Sequence, residues 1–106
     1  MTNFLWVYTT LSKKAEAVEI SKTLVKEKLI ACSNILENMT SIYEWKGEIC
    51  EESEVSLIMK TTKENVKSLE KKILELHPYE CPAVLHIPIE GGHESFLNWI
   101  KQQVSD

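Results

Sequence analysis

The amino-acid sequence predicts an α+β fold of the ferredoxin-like kind, a βαββαβ sandwich followed by a C-terminal helix. Three observations carry this expectation. Several short stretches are continuously apolar or alternate apolar and polar residues with a period of two. Two longer stretches and a short terminal one carry apolar residues at helical spacing. Only three glycines and three prolines interrupt 106 residues, so regular structure fills a chain long enough for one domain, residues 1–106.

Each element follows from its residues in order. Phe4 to Tyr8 is continuously apolar and aromatic, as a buried strand requires. Ser12 is a plausible N-cap, and Ala17, Val18, Ile20, Leu24, Val25 and Leu29 then mark an amphipathic helix from about residue 13 to 29. A strand-like stretch runs from Ala31 to Ile49, where Ser41, Tyr43 and Trp45 alternate with Ile42, Glu44 and Lys46; Gly47 reads as a bulge or bend. Glu51 and Glu52 read as an exposed turn, and Val55, Leu57 and Met59 as the returning strand of a hairpin. Thr61 with Glu64 fits a capping box before the stripe Val66, Leu69, Ile73, Leu76. His77-Pro78 stops that helix, because the residue before proline avoids the helical region. Cys81 to Ile89 is a last strand, ended by Gly91-Gly92, and Phe96, Leu97, Trp99, Ile100 and Val104 form the terminal helix.

This order leaves one sheet face without helices, yet the first strand is apolar on both faces, and Tyr43 and Trp45 share a face of the second. A small monomer does not expose that much aromatic surface, so self-association is expected, with coverage by the terminal helix as the alternative. Sixteen acidic residues face twelve lysines and no arginine, a net charge of −4 that argues against nucleic-acid binding. No apolar run is long enough to span a bilayer, and Met1-Thr2-Asn3-Phe4 has no basic leader. Three cysteines at irregular spacing then read as reduced thiols in a cytoplasmic protein.

The densest cluster of chemical groups is His77-Pro78-Tyr79-Glu80. His77 reads either as a metal ligand with Glu80 or as a helix stop capping terminal carbonyls. Cys32 is a soft metal donor or a small packing residue. Cys81-Pro82 carries a faint haem-ligand signature, and Cys50, near a turn, is the expected exposed thiol. His86 belongs to a sheet face, and His93 starts the last helix. The acidic run Glu48, Glu51, Glu52 and Glu54 is a solvated hairpin tip or a weak hard-cation site. No nucleophilic triad and no glycine-rich phosphate loop is present, so no enzymatic activity is expected.

Taken together and in order, several segments resemble the CutA divalent-cation-tolerance family. They are Tyr8-Thr9-Thr10, Ala31-Cys32-Ser33-Asn34-Ile35, Thr40 to Gly47, Leu57 to Thr61, His77 to Pro82, and Phe96 to Ile100. The resemblance implies a homotrimer of ferredoxin-like subunits that acts in tolerance to divalent cations, copper above all, with an architecture like that of PII-type signalling trimers. It also implies a copper site built from a Cys at the end of the first strand and two adjacent His before Pro-Tyr. Here Tyr8 and Leu76-His77 stand at those positions, so His77 alone matches, with Glu80, Cys32 or Cys81 to complete the set. No cofactor is obligatory on this reading. The rival reading is a PII-like binding module without metal chemistry. Its intersubunit clefts beside Tyr43, Trp45, Lys60, Tyr79 and Glu80 would hold a small anion, with Lys60 supplying the charge.

Overall fold

The computed structural model describes residues 3–104. Its elements are β1 (Phe4–Leu11), α1 (Lys14–Lys26), β2 (Cys32–Trp45), β3 (Glu48–Thr62), α2 (Val66–Leu76), β4 (Leu85–Ile89) and α3 (Glu94–Gln103). The four strands form one antiparallel sheet in the order β2-β3-β1-β4, the ferredoxin-like arrangement expected from sequence.

Strand β1 fixes the two faces. Leu5, Val7, Thr9 and Leu11 point to one side and are buried, whereas Phe4, Trp6, Tyr8 and Thr10 point to the other and are not. On the buried side, α1 contributes Ala17, Ile20 and Leu24 and α2 contributes Val66, Leu69 and Ile73. With Leu57 and Met59 of β3 they make the main core. On the opposite face a smaller core joins Ile100 and Val104 of the α3 end to Ala31, with Phe4 packed beside them. The terminal helix therefore covers one corner of this face. Trp6 remains 40% exposed, and its β4 neighbour Ile87 is exposed as well.

Helix α1 ends three residues before the expected boundary. Lys28 adopts φ 60°, and the amides of Lys28 and Leu29 bond back to the carbonyls of Val25 and Leu24, both at 3.0 Å. This is a Schellman stop with lysine where glycine is usual. Nor is Ser12 its N-cap: Lys13 holds that position without a side-chain bond, and the Ser12 hydroxyl points elsewhere. The Thr61–Glu64 capping box does not form either. Thr61 is buried in β3, where its hydroxyl donates to the Leu29 carbonyl at 2.8 Å, and Asn65 holds the N-cap position of α2 without a side-chain capping bond.

The hairpin turn differs most from expectation. It lies at Lys46-Gly47, with φ 51° and φ 83°, and not at Glu51-Glu52. Two central residues with positive φ make the tight turn whose twist matches a hairpin. The bulge falls at Glu37-Asn38, where the register shifts and Asn38 takes φ 61°. The expected last strand loses its first four residues, since pairing with β1 begins only at Leu85.

With the turn so placed, β2 and β3 run to 14 and 15 residues and project as an arm. The molecule measures 45 × 25 × 23 Å, and its radius of gyration of 14.4 Å exceeds the about 13 Å of a compact chain this long. Beyond the bulge Tyr43 and Trp45 lie on the open face, and Ile42 and Ile49, 69% and 74% exposed, lie on the reverse of the arm.

Candidate functional site

Where the arm leaves the body, the loop after α2 meets the open face. Proline 78 ends the helix, so His77 turns to extended backbone and its side chain folds back, 8% exposed. Its Nε2 lies 2.8 Å from the Thr10 carbonyl oxygen and 3.1 Å from Thr9 Oγ1, both on β1. A carbonyl only accepts, so Nε2 carries the proton. Nδ1 then accepts the Tyr79 backbone N–H at 3.2 Å. Both ring nitrogens are engaged, and as placed the imidazole offers no free lone pair to a metal. His77 tethers the loop to β1 by side-chain bonds, in place of the expected capping of helix carbonyls.

That tether positions Tyr79. The two rings meet edge-on, centroids 4.7 Å apart. The Tyr79 hydroxyl donates to Glu54 Oε2 at 2.5 Å and receives the Ser12 hydroxyl at 3.1 Å. Burial of the phenol and its bond to Glu54 push its pKa up to about 12. Tyr43 is also raised, by loss of solvent and then by the charges of Glu52, Cys50 and Glu54. On the other side of the loop, Oε1 of Glu16 is buried without a hydrogen-bond partner.

Tyr79 forms one wall of a cleft of about 450 Å³. Tyr43 and Trp45 of the arm, with Glu52, Glu54, Glu80 and Cys81, make up most of the rest. Four of the five residues expected in a cleft thus come together. Lys60 does not: it pairs with Trp6 and Cys32 near the far end of β3 and bonds the Asn34 side chain. Its place is taken by carboxylates, so the expected anion site is an acidic cleft. Glu52 and Glu54, read from the sequence as part of a solvated tip or a weak hard-cation site, fall in the cleft because the turn is at Lys46-Gly47. They then stand opposite Ser41 and Met39, on the Tyr43 face.

The candidate metal donors are dispersed. Cys32 is half-buried at the start of β2, Glu80 and Cys81 are exposed at the cleft, and His77 is internally bonded. No three His, Cys, Asp or Glu side chains converge as a metal-holding group among the described residues. Cys81-Pro82 lies in the loop before β4, and Cys50, expected to be exposed, is half-buried. His86 lies 2.7 Å from Glu70 of α2, a helix-to-strand contact. His93 caps α3. No described helix is long and apolar enough to cross a membrane.

A family model described as CutA1 divalent ion tolerance protein matches residues 5–103. The divalent-cation tolerance protein CutA of Thermus thermophilus is 38% identical over 96 residues, 91% of this chain and 93% of that protein. The CutA homolog of Xenopus laevis is 41% identical over 88% of this chain, which spans only 62% of that longer protein. The crystal structure of the divalent ion tolerance protein CutA1 from Ehrlichia chaffeensis has a TM-score of 0.94 and 37% identity, covering 100% of this chain and 99% of that one. The collinear segments read from the sequence, the sheet order and these matches agree: the chain belongs to the CutA1 divalent ion tolerance family.

Proposed function

We propose that this protein acts without catalysis in tolerance to divalent cations, as a cytoplasmic homotrimer that binds copper or a related metal. Family membership supports the cation role. The observation that carries the assembled form is the open sheet face, where Trp6, Leu36, Tyr43, Trp45 and Ile87 stay exposed after α3 has packed. Such a surface is stable in water when neighbouring copies cover it. Assembly also bears on metal binding. Copper takes two to four soft or borderline donors, and in one chain Cys81 and Glu80 both line the cleft. A neighbouring subunit supplies the remainder.

Anaerobic titration of the assembled protein with copper in both oxidation states, against a competing chelator, tests this reading. Saturable binding that weakens in Cys81→Ser is expected. In His77→Ala, affinity should change little, because that ring is committed to Thr10 and Tyr79. Wild-type protein that never outcompetes the chelator would refute the metal role.

A second reading, a PII-like module that binds a small molecule without metal chemistry, is favoured by one observation. The cleft is roomy and walled by three aromatic rings, as small-ligand sites are.

A further inference from the structure

We propose that His86 and Glu70 bind a divalent transition-metal ion, zinc or its neighbours in ligand preference, at a site outside the cleft and within a single chain. This goes beyond the preceding reading, whose metal donors are Cys81 and Glu80 at the cleft.

The topology brings the two donors together from separate elements. His86 stands opposite Val7 in the β1–β4 ladder. Directly paired residues share a face, and Val7 is buried on the face that carries the helices, so the imidazole projects to that side. There it meets Glu70 of α2, with Nε2 2.7 Å from Oε1. Trp6 and Ile87, paired one residue along, project to the opposite face. The pair is therefore on the other side of the sheet from the surface through which copies of the chain associate.

Distance, donor type and access suit a metal ion. Two donors about 2.0–2.2 Å from one ion stand roughly 2.9–3.4 Å apart across a right or tetrahedral angle. The observed 2.7 Å is a small side-chain adjustment from that separation, and side chains 35% and 41% exposed have room to make it. Imidazole nitrogen beside carboxylate oxygen favours zinc, copper(II) or nickel over magnesium and calcium, which prefer oxygen alone. In the metal-free chain Nε2 donates its proton to Glu70. Nδ1 has no partner among the described residues, so it takes the proton when Nε2 turns a lone pair to the ion. Lys72, on the same helix, pairs with Glu27 and Glu75 and leaves Glu70 to His86. No third His, Cys, Asp or Glu joins the pair among the described residues, so water fills the remaining positions. As an ion pair alone, two partly exposed groups add little to stability. Bridged by a metal, they tie the edge strand β4 to α2.

Calorimetric titration of the assembled protein with zinc chloride tests the proposal, in wild type and in Cys81→Ser, which removes the cleft thiol. His86→Gln is the informative variant, because glutamine keeps an N–H for Glu70 and lacks the imidazole lone pair. His93→Gln controls for the other exposed imidazole. One saturable zinc site per chain is expected in wild type and in Cys81→Ser alike. It should weaken about tenfold or more in His86→Gln and in Glu70→Gln and stay unchanged in His93→Gln. Native mass spectrometry checks that each variant keeps the wild-type assembly. Zinc binding lost in Cys81→Ser and kept in His86→Gln would overturn the site and leave the cleft reading standing. Equal weakening in His86→Gln and His93→Gln would reduce the effect to adventitious binding by surface imidazoles and overturn the site. Absence of saturable zinc binding in both proteins would overturn it as well, while the copper titration decides the cleft reading separately.

Discussion

His77 and Tyr79 show what neighbours in sequence do once a distant strand reaches them. The cluster His77-Pro78-Tyr79-Glu80 stands out in the sequence because three polar ring and acid groups follow a helix stop. What the imidazole does was not legible, since its partners Thr9 and Thr10 lie more than sixty residues away. His77→Ala should lower unfolding free energy by about 2–3 kcal/mol, as loss of buried hydrogen bonds on both ring nitrogens predicts. Chemical denaturation reads this directly. Tyr79 gives a pH signature. Its folded pKa, about 12, lies above the ordinary value of 10.0, so the folded state holds this proton more tightly. The stabilisation is fully present below pH 10 and is lost as pH rises through 12. After allowance for solvent screening it amounts to about 1 kcal/mol. Between those limits wild type should lose stability faster than Tyr79→Phe, and parallel denaturation series at several pH values compare the two.

The periodicity of two and of 3.6 placed every element in the right order, because side-chain alternation is a local property. The ends were less legible, because they depend on backbone conformations that residue type only biases. Lysine at 28 takes a left-handed conformation for which glycine is preferred, so nothing in its identity marked the end of α1. Lys28→Gly should therefore stabilise the protein by about 0.5–1 kcal/mol, visible as a higher denaturation midpoint. The turn was misplaced because Gly47 was read as a bulge or bend and the acidic run after it as a turn. With φ 83° at Gly47, Gly47→Val should cost about 1–2 kcal/mol. Hydrogen exchange should then accelerate first at Tyr43 to Cys50, the residues paired next to the turn. Lys60 fell outside the cleft for the same reason. Lengthening the hairpin moves the cleft toward the arm and leaves Lys60 at the opposite end, opposite Trp6.

For the whole molecule, the apolar second face was legible in β1 alone, where Phe4, Trp6 and Tyr8 alternate with Leu5 and Val7. The structure adds that α3 covers only the Phe4 corner and that the arm is apolar on its reverse as well, at Ile42 and Ile49. Surfaces of this kind on both sides of a projecting hairpin fit an arm that lies between subunits. Stability should then depend on protein concentration, with a melting temperature that rises as the protein is concentrated. Trp6→Glu, on the open face and away from the main core, should dissociate the assembly and leave a folded subunit. Sedimentation equilibrium of the wild-type protein beside Trp6→Glu tests the central claim most directly. A wild-type mass of three chains, falling to the 12.2 kDa of one chain in the variant, is the predicted result. A wild-type mass of 12.2 kDa across the concentration range would contradict it.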